Sequence, residues 1–191
     1  KVTTQYKYAF CLHANETMMR LEQTPKLVIA GLNGHAVGGG LEIAMACDLR
    51  VAKKDGGKIG LPEVNLGVLP GSGGTQRLAR LIGKSRAIEW MAGGELHAFE
   101  EAFPIGLINK ILPAEGFDAA LLEYARSFTP PAKASLAAGL IKRAVTTGSD
   151  LSLEAGLALE RELQQRLFES EDAREGLAAY MEKRKPSFKG L

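Results

Sequence analysis

The chain has 191 residues, 46% of them hydrophobic and 24% charged, with a formal net charge of +2. That length suits one substantial core with a small appended part, and the composition is that of an ordinary globular protein. The near-neutral balance, with no long basic run among aromatics, argues against a nucleic-acid partner, and the apolar runs fall far below membrane-spanning length.

The chain opens on KVTTQYKYAF without a methionine, so Lys1 is not expected to be the natural first residue; no signal-peptide pattern is read there. CLHANETMMRLEQTP reads as a helix ending near Pro25, because the residue before a proline avoids the helical region. KLVIAGL (26–32) is an apolar run of strand length, suited to a sheet covered on both faces. NGH makes a turn, and three glycines then open a helix at 39–47. It is apolar almost all round, from Leu41 to Cys47, with Glu42 the exception. DLRVA (48–52) and KIGL read as strands around a KKDGG turn, and PEVNLGVLPGSGGT as a loop rich in Gly and Pro. QRLARLIG and SRAIEWMAGG read as helices ended by glycine, AFEEAFPIG as a short helix broken by Pro104, and LINKIL as a strand.

From about residue 114 the pattern turns helical: 115–128, 131–146 opening on Pro130 and Pro131, 151–169 and 171–184. This places an α/β core at 1–112 and a helical region at 113–191. In the 151–169 helix Leu153, Leu157, Leu159, Leu163 and Leu167 share one broad arc that also contains Glu160 and Gln164. A subunit interface and simple partial exposure both account for such an arc.

Gly38, Gly39 and Gly40 stand where a helix begins, so free N–H groups and the positive end of the helix dipole meet a backbone without Cβ atoms. Such a place can cradle a phosphate, form an oxyanion hole, or simply let helix and strand pack closely. Neither GxxxxGK[ST] nor GxGxxG with its distant acid is present. Glu42 is either a cap for those N–H groups or a functional carboxylate that moves a proton. Glu63 follows Pro62 in a loop, and Gly71, Gly73 and Gly74 open a second helix. Two carboxylates on one oxyanion site could add water across an activated double bond or move a proton beside a carbonyl. His13, His35 and His97 lack metal spacing, and no nucleophile elbow is present, so no metal is expected. Cys11 and Cys47 form neither a disulfide framework nor a zinc pattern, so a reducing, cytoplasmic compartment is expected. Asp48 reads as a cap or turn residue; Cys47, Trp90 and the methionines read as core.

Three stretches together resemble the enoyl-CoA hydratase/isomerase (crotonase) family: TPKLVIAGLNGHAVGGGLEIAMACDLRVA, GLPEVNLGVLPGSGGTQRLARLIGKSRA and the tail SEDAREGLAAYMEKRKPSFKG. The resemblance runs from about residue 20 to the end. It implies a crotonase-like spiral of ββα units with a C-terminal helical region used in trimerisation, the trimers often pairing into hexamers. It implies a lyase of fatty-acid β-oxidation acting on an acyl thioester of coenzyme A, with no separate cofactor and no membrane or nucleic-acid partner. Under it, Gly39 is a backbone oxyanion donor, with Gly38 beside it; Glu42 and Glu63 hold the water, Glu42 helping to activate it for attack at C3 and Glu63 delivering the proton to C2. Gly71 orients water or substrate, and Tyr180 and Lys183 reach a coenzyme A pocket. Having both glutamates favours hydration of a trans-2-enoyl-CoA over isomerisation.

The family has several strands ahead of the point where this sequence begins, and a loop there with an A-[DE]-[LI] element supplies the second oxyanion N–H. Residues 1–20 hold no match to that element. Losing one such donor costs about 10²–10³ in rate. Two further readings stand beside hydration: another crotonase reaction (isomerisation, or hydration of a cyclic or aromatic-derived acyl-CoA), and, motivated by that missing element, a catalytically weak oligomerising or CoA-binding fragment.

Overall fold

The structure is a computed structural model and describes residues 3–191. The chain divides into two compact units, one built from the chain up to Glu22 with Val28–Leu121, the other from Gln23–Leu27 with Leu122–Leu191.

In the first unit α1 spans Thr4–Glu22. Strands β1 (Ile29–Leu32) and β2 (Ala36–Val37) lead into α2 (Gly39–Met45). Strands β3 (Leu49–Lys53) and β4 (Lys58–Gly60) lead through a 3₁₀ turn at Glu63–Leu66 into α3 (Gly74–Ile82) and α4 (Lys84–Gly93). Two turns of a ββα spiral are thus laid down in sequence. β5 (His97–Ala98), α5 (Phe99–Ala102) and β6 (Lys110–Leu112) follow. One sheet has the order β1-β3-β6, with both pairings parallel; the other has the order β2-β4-β5, with β2 parallel and β5 antiparallel to β4. A parallel pair needs a crossover, and here α2 carries the chain from the β1–β2 segment back to β3. The core gathers Leu41, Ile59, Leu61, Leu78, Phe99 and Leu107, all almost wholly buried. Arg50 is buried among them, its guanidinium donating to the carbonyls of Leu107, Ala44 and Cys47 and to Asn109 Oδ1. Burial alone pulls its pKa down, yet every contact accepts from the charged form.

In the second unit α6 begins at Phe117 and ends at Arg126, straddling the division; α7 (Ser135–Gly148), α8 (Leu153–Phe168) and α9 (Glu171–Met181) follow. Ser152 and Ser170 cap α8 and α9 by accepting from Ala155 N and Ala173 N. The C-terminal tail lies back on α9: Asp172 accepts from Lys189 N and Gly190 N, and Glu175 from Ser187 N. Arg184, bidentate to Glu175, holds that carboxyl down at about 2.

Several expectations are corrected. The helix expected to start at Cys11 starts at Thr4. The strands at 26–32 and 107–112 contract to Ile29–Leu32 and Lys110–Leu112. The helix expected from Pro131 opens only at Ser135; the chain ahead of it makes turns instead, with Ala132 N and Lys133 N both donating to Thr129 O. The 63–66 stretch is a 3₁₀ turn rather than plain loop, ended by Gly67 at φ 70°. β2 and β5 are two residues each, too short to show a period of two. α2 is not buried all round, because Ile43 is 53% exposed. Cys47 is only partly buried, and Met19 and Met181 are exposed.

Candidate active site

The site is assembled from two glycine-rich helix starts of the first unit. Gly38 caps α2 at φ 57° and ψ −127°, a conformation essentially reserved for glycine. Its N–H donates to Gly60 O at 3.0 Å, joining the end of β2 to the end of β4. Gly39 and Gly40 are exposed, and a Cβ built on either meets nothing within 4 Å. The first N–H groups of a helix have no acceptor within it. Here they stand on bare backbone, reachable by a ligand.

Glu42 lies one turn in and is only 3% exposed. It does not cap its own helix. Its Oε1 accepts from Ser72 N and Gly74 N, both at 2.8 Å, and so serves the N-terminus of α3, some thirty residues on. Gly74 is obligatory at this junction: a Cβ there would stand 2.7 Å from Pro70 and 3.0 Å from Glu42 Oε1. Glu42 Oε2 has no hydrogen bond among the described residues.

Glu63 opens the 3₁₀ turn, with Pro62 ahead of it. A Cβ on Gly38 would lie 2.9 Å from Glu63 Oε1, so this carboxylate sits against the first helix start. Its Oε2 is buried without a hydrogen-bond partner. Burial pushes the Glu63 carboxyl above the usual range and the charge of Glu42 adds to this, against the pull of its own backbone N–H. The two glutamates are therefore distinct: Glu42 is held by two backbone donors, and Glu63 is left unsolvated and unpaired at one oxygen.

Gly71 begins the second glycine stretch, where a Cβ would come 3.1 Å from Cys11 Sγ on α1. Gly38, Gly39, Glu42, Glu63 and Gly71 thus belong to one neighbourhood. Tyr180 and Lys183 belong to the second unit: Tyr180 is 82% exposed on α9, and Lys183 follows the helix at φ 54°. Sequence reading missed Arg77. Its Nε and Nη2 meet both Glu22 oxygens at 2.7 Å, and Nη1 donates to Ser72 O at 3.3 Å. Nothing in TQRLAR marks it, since its partner stands 55 residues away on α1. Two of the three histidines have structural places: His35 Nδ1 accepts from Lys58 N, and His97 stacks on Trp90 at 3.9 Å, while His13 is exposed on α1.

A family model described as enoyl-CoA hydratase/isomerase matches residues 4–191. A Bacillus subtilis (strain 168) protein described as a probable enoyl-CoA hydratase is 43% identical over 182 residues, which is 92% of this chain and 67% of that protein. A short-chain-enoyl-CoA hydratase of Clostridium acetobutylicum is 40% identical over 177 residues, 92% of this chain and 66% of that one. The crystal structure of an enoyl-CoA hydratase from Geobacillus kaustophilus HTA426 superposes with a TM-score of 0.95 at 49% identity, covering 99% of this chain and 71% of that one. The chain spans about two thirds of the length of these curated relatives.

Proposed function

The chain belongs to the enoyl-CoA hydratase/isomerase family, and on that premise we propose that it adds water reversibly across the C2=C3 bond of a trans-2-enoyl-CoA to give a 3-hydroxyacyl-CoA. The observation that carries this reading is the pair of unlike carboxylates, with Glu63 Oε2 buried and unpaired beside the bare start of α2. The thioester oxygen accepts from Gly39 N–H, which draws electrons from the double bond and makes C3 electrophilic. Glu42 and Glu63 hold the water between them. Water bonds to C3 through its oxygen and gives its proton to Glu42, while Glu63 gives a proton to C2. A carboxyl whose pKa is raised suits the second role. The resting state returns when the proton on Glu42 passes to Glu63. Gly71 orients the water or the acyl group.

Coenzyme A enters as part of the substrate, and the reaction needs no other cofactor. A short acyl chain is the first choice, by similarity to the short-chain-enoyl-CoA hydratase of Clostridium acetobutylicum. The exposed Leu153 and Leu157 of α8 support assembly into a homotrimer or hexamer, and a cytoplasmic site of action goes with the reading. Among the described residues no helix is long and apolar enough to cross a membrane.

The test is loss of the enoyl thioester absorbance on crotonyl-CoA, extended to trans-2-enoyl-CoA esters of increasing chain length, with products identified. Hydroxyacyl product supports hydration. Conversion only to a shifted double bond transfers the assignment to isomerisation, and no conversion of any ester refutes the reading.

A further inference from the structure

We infer that Arg77, with Glu22, is a positioning residue for the carboxylate pair: it clamps the Gly71–Gly74 stretch so that two backbone N–H groups hold Glu42 Oε1 and leave Oε2 for the water. The inference rests on the proposed hydratase reading for its catalytic meaning, but its structural content stands on geometry.

The stretch from Gly71 to Gly74 is short, with three glycines among its four residues, one of them Gly73 at φ 107°. Such a backbone has few internal restraints. It is nevertheless asked to present Ser72 N and Gly74 N to one carboxylate oxygen at 2.8 Å each. Something must hold it, and among the described residues the side chain that bonds to its carbonyls is Arg77, through Ser72 O. Thus Ser72 is held from both sides, its N–H by Glu42 and its C=O by Arg77.

The guanidinium is itself anchored. Both Glu22 oxygens lie 2.7 Å from its Nε and Nη2, a fork-to-fork pair, and Arg77 is only 13% exposed. Glu22 is the last residue of α1, so α1 is tied to the second glycine stretch. Gly73 makes room for this arrangement, because a Cβ there would collide with Arg77 Nη1. The planar fork explains why lysine is a poor substitute: an ammonium can meet Glu22 but cannot hold both Glu22 oxygens and Ser72 O in one plane.

The experiment combines kinetics with amide exchange on the full chain. Crotonyl-CoA hydration is measured for wild type, Arg77→Lys, Arg77→Met, Glu22→Gln, Glu42→Gln and the double variant Arg77→Met/Glu42→Gln. Hydrogen exchange is followed at Ser72 and Gly74, with Val51 in β3 as reference. Arg77→Met should lower kcat about 10- to 100-fold with KM within about twofold, and Arg77→Lys and Glu22→Gln should fall between it and wild type. In the Glu42→Gln background the same Arg77 change should cost less than about twofold, because the carboxylate oxygen that the clamp positions for the water is gone. Exchange at Ser72 and Gly74 should quicken about tenfold or more in Arg77→Met while Val51 is unchanged.

An Arg77→Met effect of equal size in both backgrounds, or unchanged exchange at Ser72 and Gly74, overturns the inference. If Arg77→Met does not fold, Arg77→Lys and Glu22→Gln carry the same two comparisons. Should wild type hydrate no enoyl-CoA, the hydratase reading fails on that result. The exchange result then decides the clamp by itself: faster exchange supports it and unchanged exchange refutes it.

Discussion

Gly38→Ala tests whether the helix start is built for the site. Gly38 sits at φ 57° and ψ −127°, so any L-residue there is strained by about 1–3 kcal/mol. For a chain of this size that strain corresponds to a fall in melting temperature of about 2–12 °C. The added Cβ would also stand 2.9 Å from Glu63 Oε1, forcing the carboxylate to give by several tenths of an ångström. Misplacing a reacting group by about 1 Å costs on the order of 10²-fold, so a kcat loss of about 10- to 100-fold is expected. Gly40→Ala is the control. That position has an ordinary φ and open space, so alanine should stabilise the helix by about 0.5–1 kcal/mol, raising the melting temperature by about 1–4 °C. Calorimetry and crotonyl-CoA kinetics on both variants decide. Equal melting temperatures and an undiminished kcat in Gly38→Ala would refute the argument.

Three more outcomes are expected. Glu63→Gln should abolish nearly all turnover. Because the folded pKa of Glu63 is raised, the charged carboxyl weakens the wild type increasingly as pH climbs past its unfolded value; the melting-temperature advantage of Glu63→Gln should therefore grow between pH 4 and pH 8, and a constant difference would count against the buried, unpaired oxygen. Arg50→Met leaves the buried carbonyl of Leu107 without its donor, so denaturant titration should show a loss of about 1–3 kcal/mol. Lys183→Ala tests the coenzyme A contact that the family resemblance implies: KM for acyl-CoA should rise with little change in kcat or stability, and an unaltered KM would withdraw that role.

Much of the candidate site was legible before the fold. The glycines of both helix starts stand out in the sequence as runs at 38–40 and 71–74, and the fold uses Gly38 at φ 57° with ψ −127° and Gly73 at φ 107°, where a side chain is strained. Glu42 stood out as a carboxylate among Leu41, Ile43 and Ala44. Its target did not, because hydrogen bonds to Ser72 and Gly74 cross thirty residues and depend on α2 meeting α3. Arg77 was invisible for the same reason, its partner Glu22 belonging to another helix.

Local sequence determined which segments become helices and which side chains are able to move protons, since glycine content and side-chain type are properties of short stretches; it did not place the starts of α1 and α7. Ser152, which caps α8 from a position expected to lie inside that helix, shows how local the remaining error is. Tertiary structure alone decided what each charge meets. It gave Glu42 two backbone donors, left Glu63 with an unpaired oxygen, and set Arg77 between Glu22 and Ser72. The physical reason is that solvation and Coulomb terms depend on distance in space, and chain order does not carry that distance.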